Sequence, residues 1–565
     1  MKKYILLIAC ALGLGSAHAQ SLPKWAEKAK KSVFSVITYN EENKILNTGN
    51  GFYIDERGTA ISDFTLFKDA HHAVVVTADG KELPVLLILG ANDMYDVIKF
   101  RTDVKKKSPA LVAASQAPKK DETVYVLPYS TQKETTGRTG SISNVDSIAN
   151  NSFYYTMNLK TGDKIVSCPV MNNNGEVIGL IQKNSDSESE QSYALGIGFA
   201  KALNINALSG NDTSLKAIKI KKGLPDDESQ ALVMLYMMSS QVDSDEYFTL
   251  LNDFISQYPK SAEGYLRRAT FFMSKDDEPS VELAEKDLEQ MFKVTEKEDE
   301  SHYQLAKLIY NYNIGLQGKQ PKKEWTLDRA LTEIKKALEI SKEGLYYQTL
   351  GDICYAQSNY TEAIKAFEEV NKTSLASAAS FYAVATAKSM IEGTDKKELV
   401  ALLDSAVARF LPPYGTDAAP YLYERGRYKS EVKDYRGAVK DFNSFYDAMI
   451  GQVTAEFYAI RSEAEQLAHM NLQAIEDINK AIEMEPENAS FWNQKGGLHI
   501  RFNQMEEAVK ALEKAIALNP NDAGTYRMLG FSQIKLKNKK EGLANLQKAK
   551  ELGDTVASQL IEKYK

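Results

Sequence analysis

Between residues 28 and 200 the apolar positions come in short runs, alternating or continuous, broken by glycine and turn residues. Val33–Tyr39, Gly51–Ile54, Ala73–Thr77, Leu83–Leu89, Thr123–Pro128, Phe153–Met157 and Glu176–Gln182 each predict a strand. Many short strands at this spacing predict a sandwich or a barrel. From about Asp226 onward the period changes, with apolar residues at helical spacing, abundant alanine, and turns at Asn, Gly and Pro, which predicts an all-helical second part. The stretch between, Leu208 to Glu228, is rich in Ser, Gly, Asn, Asp and Lys and reads as a linker.

The helical part repeats itself. With Tyr458, Trp492 and Tyr526 in register, the spacing is 34 residues, and the same register aligns Ser462, Gly496 and Gly530. It also aligns Ala474, Ala508 and Gly542, then Ala481, Ala515 and Ala549, while Pro486 and Pro520 fall the same distance apart. A small residue in the first helix lets its partner approach, alanine in the second fills the contact, and proline ends the hairpin. This pattern resembles the tetratricopeptide repeat. Looser copies follow Leu350-Gly351, Gly426 and Ala330, and Pro259 precedes Tyr265 by six residues as Pro486 precedes Trp492. About nine helical hairpins are expected between 227 and 552, with a polar capping helix over 553–565.

Three ordered stretches mark the first part. They are Gly49-Asn50-Gly51-Phe52-Tyr53-Ile54 with Gly58 to Ala70, then Asp93 through Lys99, then Cys168-Pro169-Val170 with Asn174-Gly175 to Gly179 and Leu195 to Ala200. Together they resemble the trypsin-like domain of the HtrA protease family, which implies a double six-stranded β-barrel. The fold class expected is multidomain: an all-β trypsin-like double barrel over 20–205, a linker over 206–226, and an all-α tetratricopeptide solenoid over 227–565.

In that family a serine attacks the peptide carbonyl, a histidine takes its proton, and an aspartate orients the histidine. Laid onto this chain, the resemblance puts the histidine position on Thr65, the aspartate position on Asp96 and the serine position on Val166. The glycines around the nucleophile become Lys164, Ser167 and Cys168. Valine offers no nucleophile and threonine no base near neutral pH, so a degenerate triad and no ordinary serine proteolysis are expected. The alternative is a peptidase of altered mechanism that uses Ser167 or Cys168. His71 and His72 follow Thr65 by six and seven residues, which the resemblance places beyond the catalytic loop at the start of the next strand, and a reactive Cys168 needs a neighbouring base or cation. Phosphate loops, His-Glu-x-x-His and paired Cys-x-x-Cys motifs do not occur, so neither a cofactor nor a metal is expected. The Asn184 to Ser192 tract reads as a hairpin tip in preference to a calcium loop.

Composition narrows the partners. The chain has 565 residues, 69 basic against 76 acidic, for a formal net charge of −7. Nucleic-acid binding rests on a basic footprint, which this balance lacks. Lys2 and Lys3 precede an apolar run to about Gly15, and Ala17-His18-Ala19 then supplies the small residues of a signal-peptidase site before Gln20. A signal peptide over 1–19 and a periplasmic or extracellular location are expected, with no transmembrane anchor. An alternative reading makes Cys10 a lipoprotein cysteine. Cys168 and Cys354 remain in different domains, and no disulfide between them is expected.

What remains is recognition. The resemblance to the repeat family makes the concave face of a solenoid the default binding surface. Counting from the register residues puts Tyr423, Arg427, Glu463, Gln466, Asn493, Arg501, Arg527 and Lys535 on it. Their mixture of charges and amides suits a peptide or protein better than an anionic polymer. The expected function is an exported adaptor or scaffold for protein segments in the cell envelope. The count of 30 tyrosines is by itself ambiguous between core and binding surface, but several, including Tyr265, Tyr347, Tyr360, Tyr435, Tyr458 and Tyr526, occupy repeat-register positions, and the excess is assigned mostly to packing.

Overall fold

The structure, a computed structural model, describes residues 22–565 except 133–135, 150–151, 161, 187–188 and 276. The segment expected to be a signal peptide, with Cys10, lies outside the described residues. The chain divides into two compact units, residues 1–271 and 272–565.

The first unit begins with two closed antiparallel barrels. Strands β1 Val33–Tyr39, β2 Ile45–Tyr53, β3 Thr59–Ser62, β4 His72–Val76, β5 Glu82–Asn92 and β6 Val97–Thr102 close in the order β1-β2-β3-β6-β5-β4. Strands β7 Thr123–Val126, β8 Arg138–Ala149, β9 Ser152–Asn158, β10 Pro169–Met171, β11 Val177–Ile181 and β12 Gln191–Gly196 repeat that cyclic order. Alternation along each strand sends one face inward. In the first barrel this face is aromatic: the Phe34, Phe67 and Phe100 rings meet at centroid distances of 6.2 and 4.9 Å. Val124, Val126, Met157, Val170 and Ile181 fill the second. Val33, Phe52, Ile61 and Val97 of one barrel share a third cluster with Leu127, Met171, Leu180 and Leu195 of the other, so the barrels are fused along a dry seam.

The segment read as a linker is packed into this unit. Leu215, Ile218, Ile220 and Leu224 are buried in the same cluster as Phe34, Phe67 and Phe100. Backbone bonds stitch it down: Asp69 N donates to Ala217 O at 2.8 Å, Lys219 N to Ala70 O at 2.9 Å, and Ile88 N to Lys221 O at 2.8 Å. Its polar composition hid four apolar anchors that bind it to the barrel. The helices Glu228–Met238 and Ser244–Gln257 add Ala231, Leu235, Leu251 and Phe254 to that core.

Eighteen helices run from Glu228–Met238 to Lys539–Glu551 among the described residues, followed by Thr555–Tyr564. The register positions behave as the physics requires. A Cβ on Gly496 would lie 2.5 Å from Leu512 Cγ, and one on Gly530 would lie 2.6 Å from the Gly542 carbonyl oxygen, so these hairpins close only on glycine. Ser462 stands in the same place and donates its hydroxyl to Ala474 O at 2.7 Å. Trp492 Nε1 donates to Pro486 O at 2.8 Å, and Tyr265 Oη donates to Pro259 O at 3.2 Å, one device at two distant repeats. Register tyrosines 265, 347, 360, 435, 458 and 526 are half-buried, lids on the hairpins rather than their centres.

Near 300–340 the repeat is stretched. The helix Glu298–Gly315 is followed by a long turn that delivers Trp325, fully buried, against the helix Glu278–Val294. Its Nε1 donates to Glu285 Oε1 at 2.6 Å, and Arg329 pairs with both oxygens of the same carboxylate.

Candidate functional site

The turn after β3 and the turn before β10 meet across the barrel seam. Asn50, on β2, donates its side-chain amide to Val166 O at 2.8 Å and Lys164 O at 3.2 Å, tying the second barrel's turn to the first barrel. Ser62 Oγ in turn donates to Asn50 O at 2.6 Å. Thr65 opens to solvent on the short helix Phe64–Phe67, and its backbone N–H donates to Asp96 Oδ1 at 2.7 Å. Asp96 adopts a positive φ of 43° in the turn between β5 and β6, a conformation that Asp tolerates better than most residues. Val166 is half-buried beside it in sequence to Ser167, whose φ is +65°.

Between these residues lies Asp63. It is 4% exposed, and its Oδ1 has no hydrogen-bond partner among the described residues. Burial holds its carboxyl well above the usual range, the charge of Asp96 pushes the same way, and the Ser167 hydroxyl partly offsets both. Ser167 is 1% exposed, and its Oγ also lacks a bond of normal geometry. Cys168 is fully buried, and burial pushes its thiol far up, reinforced by Asp63. A buried thiol without a cation beside it stays protonated and is a poor nucleophile. His72 stacks on Tyr39 at 4.6 Å, an engagement on the β1–β4 pair.

Residues 49–180 match the family model described as the trypsin-like peptidase domain, and residues 489–522 match the tetratricopeptide repeat. The chain carries a trypsin-like peptidase domain. No curated protein matches the chain. The trypsin-like domain therefore brings the positions of Thr65 and Asp96 into direct contact, and Asp63 links that pair electrostatically to the Ser167 turn. Asp63 and Asn50 were not singled out from the sequence, although both stand inside the motifs that carry the resemblance. Their burial is a property of the seam, which no local pattern encodes.

On the tetratricopeptide side, several of the eight residues singled out from the sequence face one another. Gln466, with its amide turned so that Oε1 is presented, accepts from Arg501 Nε at 2.8 Å. Asn493 Nδ2 donates to Asp522 Oδ2 at 3.1 Å and also to Thr525 Oγ1, and Arg527 Nε donates to Asp554 Oδ2 at 2.7 Å. Each bond joins the first helix of one hairpin to the start or first helix of the next, so the three form a polar ladder along the repeats. Arg427 pairs with Glu424 one turn earlier at 3.1 Å, Lys535 lies 5.4 Å from the Phe531 ring centre, and Glu463 is exposed. Tyr423 packs on Phe442 and Phe445 and lines a largely apolar hollow of about 380 Å³ with Pro420, Val453 and Phe457. Among the described residues no helix is long and apolar enough to cross a membrane, and no group of three His, Cys, Asp or Glu is placed to hold a metal.

Proposed function

We propose that the chain is an exported protein-binding scaffold in which the trypsin-like domain no longer cuts peptides and the tetratricopeptide helices hold protein segments in the cell envelope. The observation that carries this is the chemistry of the former catalytic cleft. Thr65 and Val166 stand at the positions the resemblance assigns to the base and the nucleophile, and neither side chain can do that work near neutral pH. Asp96 is spent on the Thr65 backbone amide. The substitutes in reach, Ser167 and Cys168, are buried, and the Cys168 thiol is held protonated. Export is supported by the charged, apolar and small-residue order of residues 2–19.

Recognition falls to the helical repeats. The ladder of Gln466, Arg501, Asn493 and Arg527 runs along the repeats together with the carboxylates of Asp522 and Asp554, and the hollow beside Tyr423 accepts an apolar side chain. A segment carrying polar groups of both charges and one apolar anchor matches that arrangement.

The test is to incubate the purified chain with unfolded casein and a fluorophosphonate probe, near neutral pH. No cleavage and no labelling are expected. Cleavage that disappears in Ser167→Ala or Cys168→Ala would overturn the scaffold reading in favour of a peptidase of altered mechanism.

A further inference from the structure

Away from the cleft, the outer side of the first barrel carries a cavity of about 310 Å³, bounded on its far side by residues between Lys201 and Asp226. Lys99 and Arg101 lie two residues apart on β6, so both side chains leave the same face of the strand, opposite the buried Ile98 and Phe100. Lys201 and Arg57 complete a set of four cations, against the two carboxylates Asp55 and Asp226. The wall thus holds an excess of two positive charges. Asp55 is already engaged, its Oδ1 accepting from Arg57 N at 2.8 Å and Thr59 N at 3.0 Å.

Arg57 pairs with Asp55 at 3.8 Å, whereas Arg101 and Lys99 are poorly answered. Arg101 Nε is buried without a hydrogen-bond partner, and its guanidinium has no ion pair among the described residues. Lys99 Nζ donates only to the carbonyl of Lys201, at 2.9 Å. Burial pushes the Lys99 ammonium below its ordinary range; Asp226 resists this, while Arg101 and Lys201 add to it. A buried guanidinium N–H normally finds an acceptor, because leaving it unmet costs the full desolvation of a charged donor. The rest of the wall is apolar, with Leu87, Leu89, Ile205 and Leu224.

We propose that this cavity binds a monoanionic carboxylate with a short apolar body, the carboxylate held by Arg101, Lys99 and Lys201 and the body laid on Leu87, Leu89 and Leu224. The planar guanidinium fork matches a carboxylate. Asp55 and Asp226 oppose a doubly charged phosphate. The volume is that of about ten liquid waters at roughly 30 Å³ each, enough for one amino-acid-sized acid. Two sources carry this chemistry, a free small acid and the C-terminal residue of a peptide. The site is separate from the cleft and stands whether or not the cleft cuts peptides.

The experiment is calorimetric titration of the full chain with N-acetyl-leucine, with an N-acetylated pentapeptide ending in a free leucine carboxylate, and with the C-terminal amides of both. Saturable binding of at least one acid is expected, with its amide weakened at least tenfold. Tighter binding of the pentapeptide than of N-acetyl-leucine identifies a peptide terminus, and equal binding identifies a free acid. Arg101→Gln and the surface change Lys201→Glu are each expected to weaken binding tenfold or more. Lys201→Glu serves as the check if Arg101→Gln unfolds the barrel. No binding of either acid at millimolar concentration, amides that bind as well as the acids, or affinity unchanged in Lys201→Glu would overturn the assignment.

Discussion

Glu465 sits on the helix Ala455–Leu467, 4% exposed, with Oε2 buried and unpartnered among the described residues. Burial, then the charge of Asp477, raise its carboxyl from 4.5 to about 8, and Arg461 works against them. In the unfolded chain the same group titrates near its ordinary value. Between pH 4.5 and 8 the folded state therefore holds a proton that the unfolded state has released. Stability falls as pH rises through this window, in full supply below 4.5 and exhausted above 8. At about 1.4 kcal/mol per pH unit the span is at most about 5 kcal/mol. Arg461, paired with Asp477 at 2.6 Å, is already included in that value, and solvent screening of an incompletely buried carboxyl brings the expected span down to roughly 2 to 3 kcal/mol. Glu465→Gln keeps the shape and removes the ionisation. Thermal unfolding at pH 5 and pH 8 is the assay. The variant should gain on the wild type by about 5 °C in the transition of the helical repeats on going from pH 5 to pH 8. Parallel melting curves for the two proteins across that range would refute the reasoning.

Other outcomes follow from the same packing. Gly530→Ala drives a methyl to 2.6 Å from a backbone oxygen that cannot retreat and should cost at least about 2 kcal/mol by chemical denaturation, whereas Gly497→Ala, with nothing nearer than 3.8 Å, should be neutral or stabilise by up to about 1 kcal/mol. Asp441 is buried and accepts from Arg425 Nε at 2.8 Å and Nη2 at 2.6 Å while pairing with Lys429 at 2.9 Å. Asp441→Ala leaves Lys429 without this partner and Arg425 with Asp404 alone, at 2.9 Å, and should cost about 3 kcal/mol, measured as a lowered urea midpoint. Cys168 should resist iodoacetamide in the native protein and react on addition of denaturant, followed by mass spectrometry; native labelling at rates of a free thiol would contradict its burial.

How far the sequence could be read depended on whether a signal was local. Val33–Tyr39 was found to the residue because its apolar pattern is uninterrupted. The β8 strand Arg138–Ala149 was missed: Ile142, Val145 and Ile148 are its sole large apolar residues, and its pairing with β7 and β9 is what keeps it extended. The repeat spacing was readable because register residues such as Ser462, Gly496 and Trp492 make their contacts within their own or the adjoining hairpin. The 206–226 segment looked like a linker because its anchors are few and its partners, Ala70 and Ile88, lie more than a hundred residues away. For the same reason the buried Asp63, whose carboxyl feels the Asp96 charge and the Ser167 hydroxyl, carried no signal in the sequence. Six tyrosines were assigned to packing, and each is half-buried, since a ring at a hairpin mouth covers apolar neighbours and keeps its hydroxyl in water.

The 206–226 segment and the helices Glu228–Met238 and Ser244–Gln257 share one core with the first barrel, and this bears on how the chain is made. Synthesis runs from the N-terminus, so both barrels emerge before the residues that complete that core. Until Leu215 to Phe254 arrive, the core around Phe67 and Phe100 lacks those partners, and the Ile88 N–H lacks its acceptor, the Lys221 carbonyl. The six strands close on one another, but a later stretch of the same polypeptide completes the core they enclose. A fragment ending at 205 lacks those partners, and one reaching Phe271 contains them.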